Sequence, residues 1–186
     1  MIGVAILPEL PECHLIRQLR SFFTEHRLRT LLIPLLDRSN EVSLRTLDWL
    51  CVNYSKHRNI VCSMPDGGLC NIYHAYKVAL NVYRRRQFDP FRRRDRATIG
   101  IGDETYVTTL GQCNFVFWAW THGVLQYAHE HREDIERDMN TSSSAHRSEL
   151  RELRNQGKKR RRSSLSVRSA SVCRIYKSPS RVSFVL

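Results

Sequence analysis

The stretch TTLGQCNFVFWAWTH, residues 108–122, constrains this chain more than any other. Thr108 or Thr109 can cap a helix there, because a threonine hydroxyl accepts from the free amides of the first turn. Leu110, Cys113, Phe115, Phe117, Trp118, Ala119 and Trp120 then spread apolar surface around nearly the whole circumference. A helix that is apolar on every side has to be covered on every side, so the other elements must be assembled around this one. It is too short to cross a bilayer. The unbroken apolar runs, 115–120 here and 31–36 with its internal Pro34, fall well below the ~18–20 residues a span needs. MIGVAIL at the start lacks a basic flank and meets Pro8, Glu9 and Pro11 at once, which argues against a secretory signal.

The remaining pattern supplies the cover. Leu15, Ile16, Leu19, Phe22, Phe23 and Leu28 recur at helical spacing and predict one or two amphipathic helices ending before Pro34. Asn40 or Ser43 can cap a helix over 44–56. Residues 59–64 read as a strand stopped by Pro65, Asp66, Gly67 and Gly68. A helix from about Asn71 should run into Arg84, Arg85 and Arg86, whose cations suit a helix C-terminus. Phe88-Asp89-Pro90-Phe91 must break it, with the two phenylalanines pinning the turn to the core. Arg96 to Ile101 and Tyr106-Val107 form a hairpin around Gly102-Asp103. Gly123 closes the apolar helix, and a last helix over 124–139 turns Val124, Ala128, Ile135 and Met139 inward.

Charge is segregated along the chain. The 186 residues carry 30 Lys+Arg against 18 Asp+Glu, net +12 with pI near 9.9. Residues 1–140 hold 18 basic and 16 acidic groups, whereas 141–186 hold 12 and 2. Within the first part, Arg84, Arg85, Arg86, Arg92, Arg93, Arg94 and Arg96 face only Asp89 and Asp95 locally, so without this cluster the body would be net −3. The organisation expected is a small, mostly helical α+β domain with two short β-hairpins over 1–140. A disordered Arg/Ser-rich arm over 141–170 and a short strand-like segment over 171–186 should follow.

Two basic devices carry the functional expectation. Lys158, Lys159, Arg160, Arg161 and Arg162 repel one another, stay extended, and can neutralise successive phosphates or occupy an importin groove. Ser163 and Ser164 behind them offer a basophilic kinase a site, and phosphate there would weaken an electrostatic grip. The Arg84 to Arg96 cluster, with Tyr83, Phe88 and Phe91 interleaved, can place guanidinium forks along a nucleic-acid backbone. The plain alternative is a solvated loop paired with the acidic last helix. A helix-turn-helix reading around Gly123 fails, because Glu130, Glu133, Asp134, Glu136 and Asp138 would face phosphates with the wrong sign.

Catalytic and metal chemistry find little support. His57, Cys62, Cys70 and His74 have the right ligand types for zinc but no tight chelating pair. Six cysteines without a CxxC pair read as reduced, mostly packed thiols. Cys113 lies on the apolar helix, where a thiolate is disfavoured, and Gly100-x-Gly102 lacks the third glycine of a dinucleotide loop. No catalytic residue, metal or cofactor is expected.

FDPFRRRDR at 88–96, TTLGQCNFVFWAW at 108–120, IERDMN at 135–140, KKRRRSSLSVRSASV at 158–172 and VSF at 182–184 together resemble a set of uncharacterised proteins of nucleocytoplasmic large DNA viruses. The resemblance implies a viral origin and a place in the virion, the virus factory or the host nucleus, and it lends no activity. The leading expectation is a non-enzymatic protein that binds DNA or RNA backbones without base specificity and does not engage membranes. The alternative is a structural or adaptor virion protein whose arm is a nuclear-targeting signal.

Overall fold

The computed structural model describes residues 5–8, 10–93 and 95–155. Along the chain come β1 (Ala5–Ile6), α1 (His14–Phe22), α2 (Glu25–Arg27), α3 (Ile33–Asp37), α4 (Leu44–Trp49) and α5 (Ser55–Arg58). They are followed by β2 (Val61–Ser63), β3 (Leu69–Asn71), α6 (Ile72–Val82), β4 (Ala97–Ile101), β5 (Glu104–Thr108), α7 (Leu110–Thr121), α8 (Val124–Glu130) and α9 (Arg132–Asn155). π-Helical turns at Leu28–Leu32 and Leu50–Tyr54 join α2 to α3 and α4 to α5. The result is the mostly helical α+β arrangement with short antiparallel hairpins that the pattern predicts. By contacts the chain divides into two units, Met1–Ala145 and His146–Leu186. The described part of the second, 146–155, is the end of α9, where His146 Nδ1 stands 3.8 Å from Glu149 Oε2.

α7 is the centre of the first unit. Thr109 caps it, its side chain accepting from the Gln112 amide, and Gly111 to Val116, Trp118 and Ala119 are all buried. α1 covers one side through Phe22, whose ring meets Phe117 at 4.8 Å and Trp120 at 5.1 Å, both edge-on. On another side Tyr76 of α6 and Phe88 of the following loop lie 5.7 and 5.6 Å from the Trp118 ring. Offset and edge-on aromatic pairs of this kind add ~0.5–1.5 kcal/mol each beyond their burial.

Two sheets flank the helices. β4 pairs with β5 from Ala97↔Thr108 to Ile101↔Glu104, and β1 adds a third strand through Ala5↔Gly100 and Ile6↔Ile99. β1 was not foreseen, because its alternation is too short to be seen in sequence. Leu7 ends it in the left-handed region, at φ 50°. That conformation costs a non-glycine residue roughly 1–2 kcal/mol, and the complete burial of the leucine side chain, worth ~1.5–3 kcal/mol, offsets it. The second sheet is the β2–β3 hairpin, with Cys62↔Cys70 in register and facing inward.

Several boundaries differ from the sequence expectation. Pro34 does not end its helix: it sits in the first turn of α3, directly after the π-turn, where a missing amide disturbs little. α6 stops at Val82 instead of carrying Arg84 to Arg86, because Tyr83 turns extended and stacks on Phe88 at 5.6 Å with rings 11° apart. The predicted last helix is two, divided at His131, and the second runs to Asn155, so the boundary expected at Asn140 falls inside a helix. Thr141 and Ser144 in that stretch donate their hydroxyls to the carbonyls of Arg137 and Thr141, which turns their polar side chains to the helix's own backbone. Asp138 fastens α9 to the body, accepting from Trp49 Nε1 at 2.9 Å and pairing with Arg58 at 2.9 Å.

Gly123, at φ 71°, separates α7 from α8, and a Cβ there would come within 2.0 Å of the Ser63 carbonyl oxygen. The junction is therefore packed against the β2–β3 hairpin. Among the described residues no helix is long and apolar enough to cross a membrane.

Candidate functional site

The arginine loop between α6 and β4 is held by polar groups from the first turns of α7. The Asn114 side-chain amide donates to the Gln87 carbonyl at 2.8 Å, that of Gln112 to the Pro90 carbonyl at 3.3 Å, and the Asp89 amide to the Gly111 carbonyl at 3.3 Å. Gly111 permits this approach: a Cβ would lie 3.0 Å from the Asp89 nitrogen and 3.3 Å from the Arg86 oxygen. Phe88 is buried in the core. Within the loop the Asp89 carboxylate accepts from the Phe91 amide and takes Arg93 by both oxygens, Nε at 3.3 Å and Nη2 at 3.4 Å. The Arg93 guanidinium also covers the Phe91 ring at 4.7 Å.

Arg84, Arg85, Arg86, Arg92, Arg93 and Arg96 are all exposed. The loop's ion pairs are internal: Arg93 with Asp89, and Arg86 with Asp95 at 3.9 Å. Among the described residues none is made to the acidic helix α9, so the pairing offered as the plain alternative is not the one observed. Arg94, the run Lys158, Lys159, Arg160, Arg161 and Arg162, and the serines Ser163 and Ser164 lie outside the described residues.

Folding brings Arg92 to two arginines that sequence proximity does not suggest. A surface cleft of about 650 Å³ is lined by Arg38, Arg45 and Arg92, by Leu35, Leu36, Leu44, Pro90 and Phe91, and by Ser43 and Gln112. Among the described residues no carboxylate lines it. Ser43 caps α4, its hydroxyl accepting from the Thr46 amide at 3.0 Å, which fixes where Arg45 starts. Arg38 ends α3 in the left-handed region at φ 67°. Gln112 is buried, and its Oε1 has no hydrogen-bond partner. Arg84, Arg85 and Arg86, in the loop beyond α6, do not line this cleft. The sequence did hold a signal for Gln112 and Asn114, two amides inside an otherwise apolar helix. It held none for Arg38 and Arg45.

Beneath the loop lies Asp48. Burial raises its pKa, Asp89 adds to that, and Arg93 and a hydrogen bond with Tyr76 oppose it. The Tyr76 hydroxyl is raised in turn, by burial first and by the carboxylates near it.

Cys51, Cys62, Cys70 and Cys113 are packed thiols, Cys13 is exposed, and Cys173 lies outside the described residues. Burial pushes Cys113 up to about 12 and Cys62 up to about 11, and raises Cys70 and Cys51 as well. Cys62 Sγ donates to the His122 carbonyl at 3.2 Å. His57 and His74 are exposed, and among the described residues no group of three or more His, Cys, Asp or Glu is placed to hold a metal ion.

A family model described as a family of unknown function, DUF7197, matches residues 10–183. The chain is also similar to the uncharacterized protein L507 of Acanthamoeba polyphaga mimivirus, 29% identical over 127 residues. That alignment covers 63% of this chain and spans about half, 49%, of the relative's length. No solved structure matches the fold. The match across nearly the whole chain, and the relative in a large DNA virus, agree with the viral resemblance of the motifs: this chain belongs to the DUF7197 family.

Proposed function

We propose that this protein is a non-enzymatic, nucleic-acid-associated viral protein that grips phosphate backbones without reading base sequence. The grip uses the loop arginines Arg84, Arg85, Arg86, Arg92, Arg93, Arg94 and Arg96 on the body and the run Lys158 to Arg162 beyond it. The observation that carries this reading is the convergence of Arg38, Arg45 and Arg92 on one cleft that has no carboxylate in its lining among the described residues. Like charges gathered at a surface repel one another, and a bound polyanion relieves that repulsion. The clamps from Asn114, Gln112 and Gly111 hold the loop backbone before any ligand arrives, so little ordering entropy is left to oppose binding.

A salt titration on one duplex tests the reading, comparing the full chain, a chain ended after Asn155 and an Arg92/Arg93/Arg94→Ala variant. Backbone binding gives a slope of log K against log salt of about −0.9 per phosphate neutralised, and each set of removed cations makes it shallower. Absence of binding by the full chain at low salt ends the proposal. Phosphorylation at Ser163 and Ser164 would weaken the grip, and an importin-dependent shift of a 150–170 fusion would place the protein in the host nucleus.

A structural or adaptor role in the virion is the second reading. One observation favours it: Val78 and Val82, one turn apart on α6, are 59% and 70% exposed, a surface suited to a protein partner.

A further inference from the structure

We infer that the cleft lined by Arg38, Arg45 and Arg92 seats one unpaired nucleotide of a single strand, its phosphate at the arginines and its base on the apolar floor. This rests on the phosphate-gripping reading above and narrows it to single-stranded ligands.

Four features point to this ligand together. At about 650 Å³ the cleft is within the ~300–1,000 Å³ typical of sites that enclose small ligands. Its lining divides into three guanidinium groups and an apolar part made by Leu35, Leu44, Pro90 and Phe91. A ligand that satisfies both must be anionic at one end and carry an apolar face at the other. A fatty acid and a nucleotide both meet that condition. The number of cations separates them: three guanidinium groups suit the successive phosphates of a strand, whereas a fatty acid brings one carboxylate. The flat faces of a nucleobase also suit a floor that includes the Phe91 ring. In a duplex the base faces are stacked on their neighbours, so the base that enters must be unpaired.

Arg38 adds the fourth feature. It holds the left-handed conformation that glycine or asparagine would adopt at lower cost, and among the described residues its side chain makes no hydrogen bond or ion pair. A strained backbone position occupied by a long cation at the mouth of a cleft fits a residue kept for a ligand.

The test is fluorescence anisotropy with the full chain and three probes: a short single-stranded oligonucleotide, the duplex of the same sequence, and a strand of equal length built of abasic deoxyribose phosphates. The single strand should bind about tenfold or more tightly than the abasic strand, the range of one stacked base, and more tightly than the duplex. Leu44→Trp, which fills the cleft, should bring the single strand down toward the abasic value, and Arg38→Gly, which removes a rim cation, should weaken the single strand and the abasic strand alike. Thermal melts show that the variants are folded; if Leu44→Trp is not, Leu36→Trp, which fills the same cleft, carries the comparison. Equal binding of the three probes would overturn the inference and leave the phosphate reading standing. No binding of any probe would overturn both. A single-strand preference that survives filling of the cleft would put the base elsewhere and also overturn the inference.

Discussion

On the face built by α1 and the three-stranded sheet, arginines are used internally. Arg20 donates Nε to the Ile6 carbonyl at 3.0 Å and Nη2 to that of Leu7 at 3.1 Å, and it pairs with Glu12. Arg27 donates to the Phe22 carbonyl and lies over the Phe22 and Trp120 rings at 4.5 and 4.9 Å. Arg29 bridges Glu25 and Glu104, both at 3.2 Å. Around the cleft the same side chain behaves differently: Arg38, Arg45 and Arg92 make no ion pair among the described residues. Net charge therefore misjudges what a partner meets. A guanidinium whose forks are filled by backbone carbonyls belongs to the fold, and one with empty forks is available to an anion.

This contrast can be broken by substitution. Arg20→Ala should destabilise most, by about 1.5–3 kcal/mol in urea denaturation, because it leaves the Ile6 and Leu7 carbonyls without their charged donor where β1 turns back. Asn114→Ala comes next, at about 1–2 kcal/mol, since it strips the Gln87 carbonyl of its donor beneath the arginine loop. Its loss should also lower nucleic-acid affinity without removing any cation. On the cleft side the expected sign changes. Arg92→Ala and Arg45→Ala should stay within about 0.5 kcal/mol of the parent. Arg38→Gly should gain about 0.5–1 kcal/mol by relieving the left-handed backbone while weakening ligand binding. If cleft substitutions destabilise as much as Arg20→Ala, the distinction between the two sets of arginines is wrong.

The smallest effect concerns Arg93, which belongs to both groups, being exposed yet bound to Asp89 and facing Asp48. Burial raises Asp48, so the folded protein holds that proton to higher pH than the unfolded chain does. Its contribution is full below the ordinary carboxylate range and is lost as pH rises through the raised value. Asp48→Asn should flatten this fall in a series of melts across the acidic range. Arg93→Ala, by removing the opposing cation, should steepen it.

Much of the fold could be read from residue pattern because those features act locally. The threonine cap and continuous apolar surface of α7, the hairpin around Gly102-Asp103 and the Asn71 start of α6 are governed by side chains within a few positions of each other. The errors have a common cause in distant partners. α6 ends early because Tyr83 finds Phe88, and Pro34 stays within a helix because a π-turn precedes it. The strand β1 exists only because β4 offers it an edge.

The sequence by itself determined that one all-apolar helix would need enclosing, that a turn of two phenylalanines would interrupt the arginines, and where the cations lie along the chain. Only the tertiary structure decided which cations are spent on backbone carbonyls and which stand open, and it alone placed Arg38 and Arg45 beside Arg92. The reason is one of range. Helix caps, turns and apolar periodicity follow from contacts a few residues apart, whereas a cleft is a meeting of segments more than forty positions apart, set by how helices and loop pack around α7.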